Sequence, residues 1–239
     1  MNFKRIISIV LVCLMATMSM TAKVRKSKAP VKITCIGASI TEGAMTANPA
    51  TDSYPAQLGR MLGERYVVSN FGVGGCTMLR KGDCPYWEKE AYQQALASEP
   101  DIVFIDLGGN DSKAVNRVHM DEFVKDACEM IASFQNLPTK PRIIVLTPIV
   151  SFVEDSNGIY DEVICSKVSP KTIEAADRMR VEVLDMHSVL NRRPDLMPDC
   201  IHPNTEGSGL MARKMCDYLK AYPQKPSEGM TIDGMANNP

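Results

Sequence analysis

Five short apolar runs decide what this chain can fold into. Val31–Ile36, Tyr66–Ser69, Ile102–Leu107, Ile143–Leu146 and Val181–Leu184 are rich in β-branched residues, and most are apolar throughout rather than alternating. Glycine, asparagine or proline stops several of them, as at Gly37, Asn70, Gly108 and Pro148. Between them lie segments with apolar residues at helical spacing. Leu58, Met61 and Leu62 mark Tyr54–Glu64, and Trp87–Ser98 follows before Glu99-Pro100. Phe123, Val124, Ala127, Cys128, Ile131 and Phe134 share one side of Asp121–Phe134. Lys171–Met179 is shorter, and Thr205–Leu219 carries Ala212, Met215, Cys216 and Leu219 on one face. A strand that is apolar on both sides must be covered on both sides, which implies a parallel sheet between helical layers. Right-handed crossovers then give a doubly wound α/β sandwich, whose ligands bind beyond the carboxyl ends of the strands.

With 239 residues, 45% of them hydrophobic, the chain suits one sizeable domain. A charged fraction of 23% and a formal net charge of −1 leave no basic stripe for nucleic acid. The first residues read as an export signal rather than as part of the fold. Lys4 and Arg5 form a basic start, Ile6–Met15 is apolar, and Ala22 is a cleavage position. That run is too short to span a bilayer, and no later stretch is apolar enough, so no stable membrane insertion is expected. Residues 1–22 are therefore read as a signal peptide, residues 23–221 as the domain, and residues 222–239 as a disordered tail rich in proline, glycine and asparagine. The expected location is periplasmic or secreted. Ser151–Lys167 lacks a clear period and reads as a loop over the site.

Export changes how the cysteines read. Cys35, Cys128 and Cys216 fall on apolar faces and behave as small core residues. Cys76, Cys84, Cys165 and Cys200 fall in loops, and Cys76 with Cys84 is the best disulfide candidate. No CxxC or paired Cys/His spacing is present, so a zinc site is not expected.

Three segments carry chemistry, each read as lying just after a strand-like run. Gly37-Ala38-Ser39-Ile40-Thr41 offers a hydroxyl nucleophile. Gly108-Gly109-Asn110-Asp111 offers a side-chain amide, and Asp199-Cys200-Ile201-His202 a carboxylate and an imidazole on one turn. Serine is a poor nucleophile without a base in hydrogen-bond reach, and His202 is the candidate base, with Asp199 to orient it. Pro203 stiffens that turn and disfavours helical geometry at His202, so the last helix starts at Asn204 or Thr205. Donors to a developing oxyanion would be the N–H of Ser39, the N–H of Gly75 and the amide of Asn110. Taken singly, each segment is an ordinary cap or turn; their joint placement at strand ends is what points to acyl transfer. His119 and His187 read as structural or solvated, and Arg192 and Arg193 as a solvated turn. Trp87 reads as a core anchor, with stacking on a sugar as the other role for its ring.

These blocks resemble the SGNH hydrolases, also called the GDSL esterase/lipase family. Gly37-Ala38-Ser39-Ile40-Thr41 matches the first block and Asn70-Phe71-Gly72-Val73-Gly74-Gly75 the second, with Gly74 a close alternative to Gly75. Gly108-Gly109-Asn110-Asp111 matches the third and Asp199-Cys200-Ile201-His202 the last. The likeness runs from about Lys32 to Leu219. The family usually has aspartate where this chain has Ala38, which alters the hydrogen bonding around Ser39 but not the nucleophile. The resemblance implies a three-layer α/β/α sandwich with a five-stranded, flavodoxin-like parallel sheet. It implies an acyl-enzyme on Ser39, with Asp199 and His202 completing a triad and no cofactor or metal. Lys81-Gly82-Asp83-Cys84-Pro85-Tyr86-Trp87 resembles the exported bacterial carbohydrate O-acetylesterases, which implies an acylated carbohydrate as substrate. A lysophospholipase or thioesterase of the same superfamily, and a noncatalytic glycan-binding module, are the other readings.

Overall fold

The computed structural model describes residues 29–223. The expected signal segment, and the expected tail beyond Pro223, lie outside the described residues. Tyr222, assigned to that tail from sequence, instead packs its ring 5.2 Å from that of Tyr218 and accepts a hydrogen bond from Arg142 Nη1 at 2.6 Å.

Five parallel strands, β1 (Val31–Gly37), β2 (Tyr66–Gly72), β3 (Ile102–Asp106), β4 (Arg142–Leu146) and β5 (Glu182–Leu184), form one sheet in the order β2-β1-β3-β4-β5. This is the flavodoxin-like order expected from the blocks. The chain reverses direction across the sheet between β1 and β3, so their carboxyl ends border the crevice where such folds bind ligands. The main helices are α1 (Tyr54–Leu62), α2 (Glu90–Ala97), α3 (Phe123–Gln135), α4 (Ser169–Met179) and α5 (Thr205–Ala221).

Alternation along the strands splits the core in two. Ile36, Val103, Ile105, Val145 and Val183 face one layer with residues of α2, α3 and α4, such as Ala95, Phe123, Ile131 and Ala176. Ile33, Cys35, Phe104, Ile144 and Leu184 face the other, against Leu58 of α1 and Met211, Met215 and Leu219 of α5. Cys35 and Cys216 are buried there as core residues, and Cys128 packs against the first layer.

Two boundaries differ from expectation for a tertiary reason. β2 runs on through Asn70-Phe71-Gly72, because these residues pair in register with Cys35, Ile36 and Gly37 of β1. Gly72 is needed there: a Cβ would lie 2.1 Å from the backbone nitrogen of Glu42 in the one-turn helix Ser39–Glu42. The second difference is the segment 151–167. Its end is helical, with Asp161–Val163 running through a π turn at Ile164–Val168 into α4. Pro170 sits at the head of α4, but the chain is already helical when it arrives.

At the far edge, Arg142 reaches Glu182 through Nε at 2.8 Å and Nη2 at 2.5 Å, and Tyr218 Oη donates to the same carboxylate at 2.9 Å. This buried pair ties β4, β5 and α5 together.

Candidate active site

β1 ends at Gly37, where a Cβ would lie 2.0 Å from Thr41 Oγ1 and 2.7 Å from the Asp106 carbonyl. That absence of a side chain lets the Ser39–Glu42 turn fold back over the sheet edge. Thr41 donates to Asp106 Oδ2 at 3.0 Å and meets Tyr54 Oη at 2.9 Å, so a buried network anchors the turn to β3 and α1. Burial pushes the Asp106 carboxyl up to about 6, against the hydrogen bonds from Thr41 and Tyr54. Ala38, in the position where the family usually carries aspartate, packs its methyl against the apolar core.

Ser39 Oγ lies 2.7 Å from His202 Nε2, although 163 residues separate the two in sequence. His202 Nδ1 lies 2.6 Å from Asp199 Oδ2. The turn that presents the histidine is built by the same aspartate. Asp199 Oδ1 accepts the N–H of Ile201 at 3.0 Å and of His202 at 2.7 Å, an Asx-type wrap. Cys200 adopts a left-handed φ of 65° to close it, and its carbonyl accepts from Phe152 N at 2.8 Å. Partial burial raises the Asp199 pKa, but the hydrogen bonds from His202 and Ile201 outweigh it and leave the carboxyl below its usual value. Two residues on, Asn204 caps α5 by accepting from Gly207 N at 3.0 Å, so a long helix backs the histidine turn. Residues Asp199 and His202 remain partly open, with side-chain exposures of 36% and 19%.

Asn110 opens a short 3-10 turn just after β3 and is buried. Its Nδ2 donates to the Cys76 carbonyl at 3.0 Å, and its own carbonyl accepts from Asn116 Nδ2 at 2.8 Å. One amide hydrogen is thus used to orient the side chain, and Asn110 lines the cavity beside Ser39. The glycine block lies on the other flank. A Cβ on Gly74 would stand 3.9 Å from Ser39 Cβ, and Gly75 takes a φ of 78° that an ordinary residue resists. The loop that follows is held by Asp111, whose carboxylate accepts from Met78 N at 3.0 Å and Leu79 N at 2.8 Å. Burial raises this carboxyl to about 6 as well.

The cavity beside Ser39 is small and mostly apolar, walled by Ile40, Ile149, Val150, Ile159, Ile164 and Ile201. Ile159 and Ile164 lie on Ser151–Lys167, which the sequence places over the site only as a loop without a clear period, and Ile149 and Val150 lie just before it. Its part in the wall had no sequence signal, because the side chains reach the cavity through tertiary contacts. Asp111 and Asn116 were missed as clamps for the same reason, although Asp111 belongs to a recognised block.

Trp87 is a core anchor: its Nε1 donates to the Met78 carbonyl at 2.8 Å, Tyr92 meets its ring edge-on, and the Arg80 guanidinium covers its face at 3.4 Å. Arg193 pairs with Asp195 and Glu206 in a surface turn. Cys76 and Cys84 are neighbours, their sulfurs 3.4 Å apart, but both are free thiols. His187, read as structural or solvated, is partly exposed and meets Asp161 and Cys165.

A flavodoxin-like sheet with serine, histidine, aspartate and asparagine gathered at its carboxyl edge has the SGNH hydrolase fold. Residues 35–210 match the family described as GDSL-like Lipase/Acylhydrolase, and the chain belongs to that family. An acetylxylan esterase of Xylanibacter ruminicola is 37% identical over 209 residues, covering 80% of this chain and 42% of that protein. A GDSL esterase/lipase of Arabidopsis thaliana is 25% identical over 157 residues, 58% of this chain and 61% of that protein. The chain therefore spans less than two thirds of the length of either relative. Among solved structures, the carbohydrate acetylesterase Est24 of Sinorhizobium meliloti superposes with a TM-score of 0.66 at 20% identity, covering 80% of this chain and 99% of that one. At that identity the likeness is one of fold.

Proposed function

We propose that this protein is an exported serine esterase that removes acetyl groups from carbohydrates. The reading is carried by one observation, the unbroken chain from Ser39 Oγ to His202 at 2.7 Å and from His202 to Asp199 at 2.6 Å. In it, His202 Nε2 takes the hydroxyl proton as Ser39 attacks the ester carbonyl. Asp199 holds Nδ1–H and balances the charge of the imidazolium. The N–H groups of Ser39 and Gly75 and the side-chain amide of Asn110 receive the developing oxyanion. Collapse of the tetrahedral intermediate returns the proton from His202 to the departing sugar hydroxyl and leaves acetyl on Ser39. Water, deprotonated by the same imidazole, then releases acetate.

The substrate class rests on two supports. The small, isoleucine-walled cavity beside Ser39 supports a short acyl group. Relatives that carry the names acetylxylan esterase and carbohydrate acetylesterase point to the alcohol half. Export rests on the Lys4-Arg5 start and the apolar run Ile6–Met15. Among the described residues, no helix is long and apolar enough to cross a membrane.

The test is acetate release from acetylated xylo-oligosaccharides, followed by mass spectrometry. The wild-type protein should deacetylate them and Ser39→Ala should not. Retained activity in Ser39→Ala, or no activity on any acetylated saccharide alongside rapid hydrolysis of long-chain esters, would sink the assignment.

A further inference from the structure

Asp161, Cys165 and His187 form a second cluster behind the cavity wall, outside the machinery described above. Asp161 and Cys165 are four residues apart on the helical turn that leads into α4, so their side chains lie on one face. His187 comes from the segment that follows β5. His187 Nε2 lies 3.0 Å from Asp161 Oδ1 and 3.3 Å from Cys165 Sγ, and Cys165 Sγ lies 3.7 Å from Asp161 Oδ2. A tetrahedral zinc ion has bonds of about 2.3 Å to sulfur and about 2.0 Å to nitrogen and oxygen, which sets its ligand atoms about 3.3–3.6 Å apart. The two edges at sulfur fall within about 0.3 Å of those spacings, and one ligand atom of each residue lies within 4.8 Å of the other two, so a rotation of the Asp161 carboxylate seats an ion among them.

We propose that Asp161, Cys165 and His187 bind one zinc ion, with water as the fourth ligand. Cys165 is exposed, which leaves that fourth position open to solvent. Sulfur, imidazole and carboxylate together suit a borderline cation such as Zn²⁺ and do not suit Ca²⁺ or Mg²⁺, which prefer oxygen. The carboxylate is already oriented for the task. Asp161 Oδ1 accepts from Ser151 N at 3.0 Å, so Oδ2 turns to the metal while Oδ1 keeps its outer hydrogen bond. Binding replaces the thiol proton of Cys165, which passes to solvent, and uses the Nε2 lone pair of His187. Ile164, on the same turn, lines the catalytic cavity, and so does Ser151. The ion thus pins that wall to the chain beyond β5.

The sequence conceals this site. The ligands have no CxxC spacing, and His187 joins Cys165 only because β5 lies at the edge next to the entry to α4.

The experiment uses the reduced, metal-stripped protein, titrated with Zn²⁺ against a competing chelating dye and separately with Co²⁺. One Zn²⁺ should bind per chain. Its affinity should fall at least tenfold in Cys165→Ser and in His187→Ala and stay unchanged in Cys200→Ser. The Co²⁺ complex should show thiolate-to-metal charge-transfer absorption that Cys165→Ser removes. Cys165 is exposed, so that variant keeps its fold and decides the matter even if His187→Ala does not fold. No binding, binding that survives Cys165→Ser, or binding lost in His202→Ala but not in Cys165→Ser would overturn the proposal. Because the readout is metal binding, it stands or falls independently of the esterase reading.

Discussion

Replacing Asp199 with asparagine isolates the part of the site that is purely a matter of proton placement. The aspartate accepts three hydrogen bonds, two from the backbone N–H groups of Ile201 and His202 and one from His202 Nδ1. Asparagine keeps an oxygen for the two backbone donors, so the turn and the position of the imidazole survive. Its NH₂ then faces Nδ1 and favours the tautomer with the proton on Nε2. That nitrogen, 2.7 Å from Ser39 Oγ, can no longer accept the hydroxyl proton. The positive imidazolium also loses its counter-charge. In a fully buried serine-protease triad the equivalent change costs about 10⁴-fold in turnover. Here the carboxylate is 36% exposed, so solvent screens part of the lost charge and the tautomer effect carries most of the loss. We expect kcat to fall about 10²–10³-fold, or about 3–4 kcal/mol of transition-state stabilisation at 1.36 kcal/mol per decade. KM should change little, because Asp199 does not line the acyl cavity. The assay is steady-state hydrolysis of p-nitrophenyl acetate with wild-type and Asp199→Asn protein, with circular dichroism to show that both are folded. A kcat within threefold of wild type in a folded variant would refute the role given to Asp199. So would an equal loss from a variant that had also lost its fold at Ile201–His202.

The remaining predictions concern the oxyanion donor, the core and pH. Asn110→Ala should lower kcat about 10²–10³-fold, while Ser39 still reacts with a fluorophosphonate probe, though more slowly; unchanged hydrolysis would remove Asn110 from the site. Arg142→Ala leaves Glu182 buried without its partner and should destabilise the fold by about 3–5 kcal/mol, read as a lower urea midpoint, with no direct effect on kcat where the variant is folded. Burial holds the Asp106 carboxyl at about 6, above its ordinary value of about 4, so the folded state holds more protons than the unfolded chain in between. Its contribution to stability therefore falls as pH rises from about 4 to about 6. Urea midpoints measured across that range should show a flatter pH slope in Asp106→Asn than in wild type, and parallel slopes would contradict it.

Much of this molecule is written locally. The five apolar runs determine five strands, four of which are buried along most of their length, while β2 at the sheet edge stays partly exposed with Val67 open to solvent. Amphipathic spacing likewise determines α1, α3 and α5 to within a few residues, and the cap at Asn204 follows from backbone chemistry. Asp199 and His202 are also a local pair, because a carboxylate three residues before a histidine wraps its own turn. What the tertiary structure decided is everything that depends on which strand ends meet. Ser39 finds His202 only because α5 returns over the carboxyl edge beside β1. The extension of β2 to Gly72 exists only because β1 offers partners there, and the face of Trp87 is covered by Arg80. Asp161, Cys165 and His187 come together across the join between the π turn and β5. In each of these the deciding contact joins residues far apart in the chain, and no pattern in either neighbourhood records its partner.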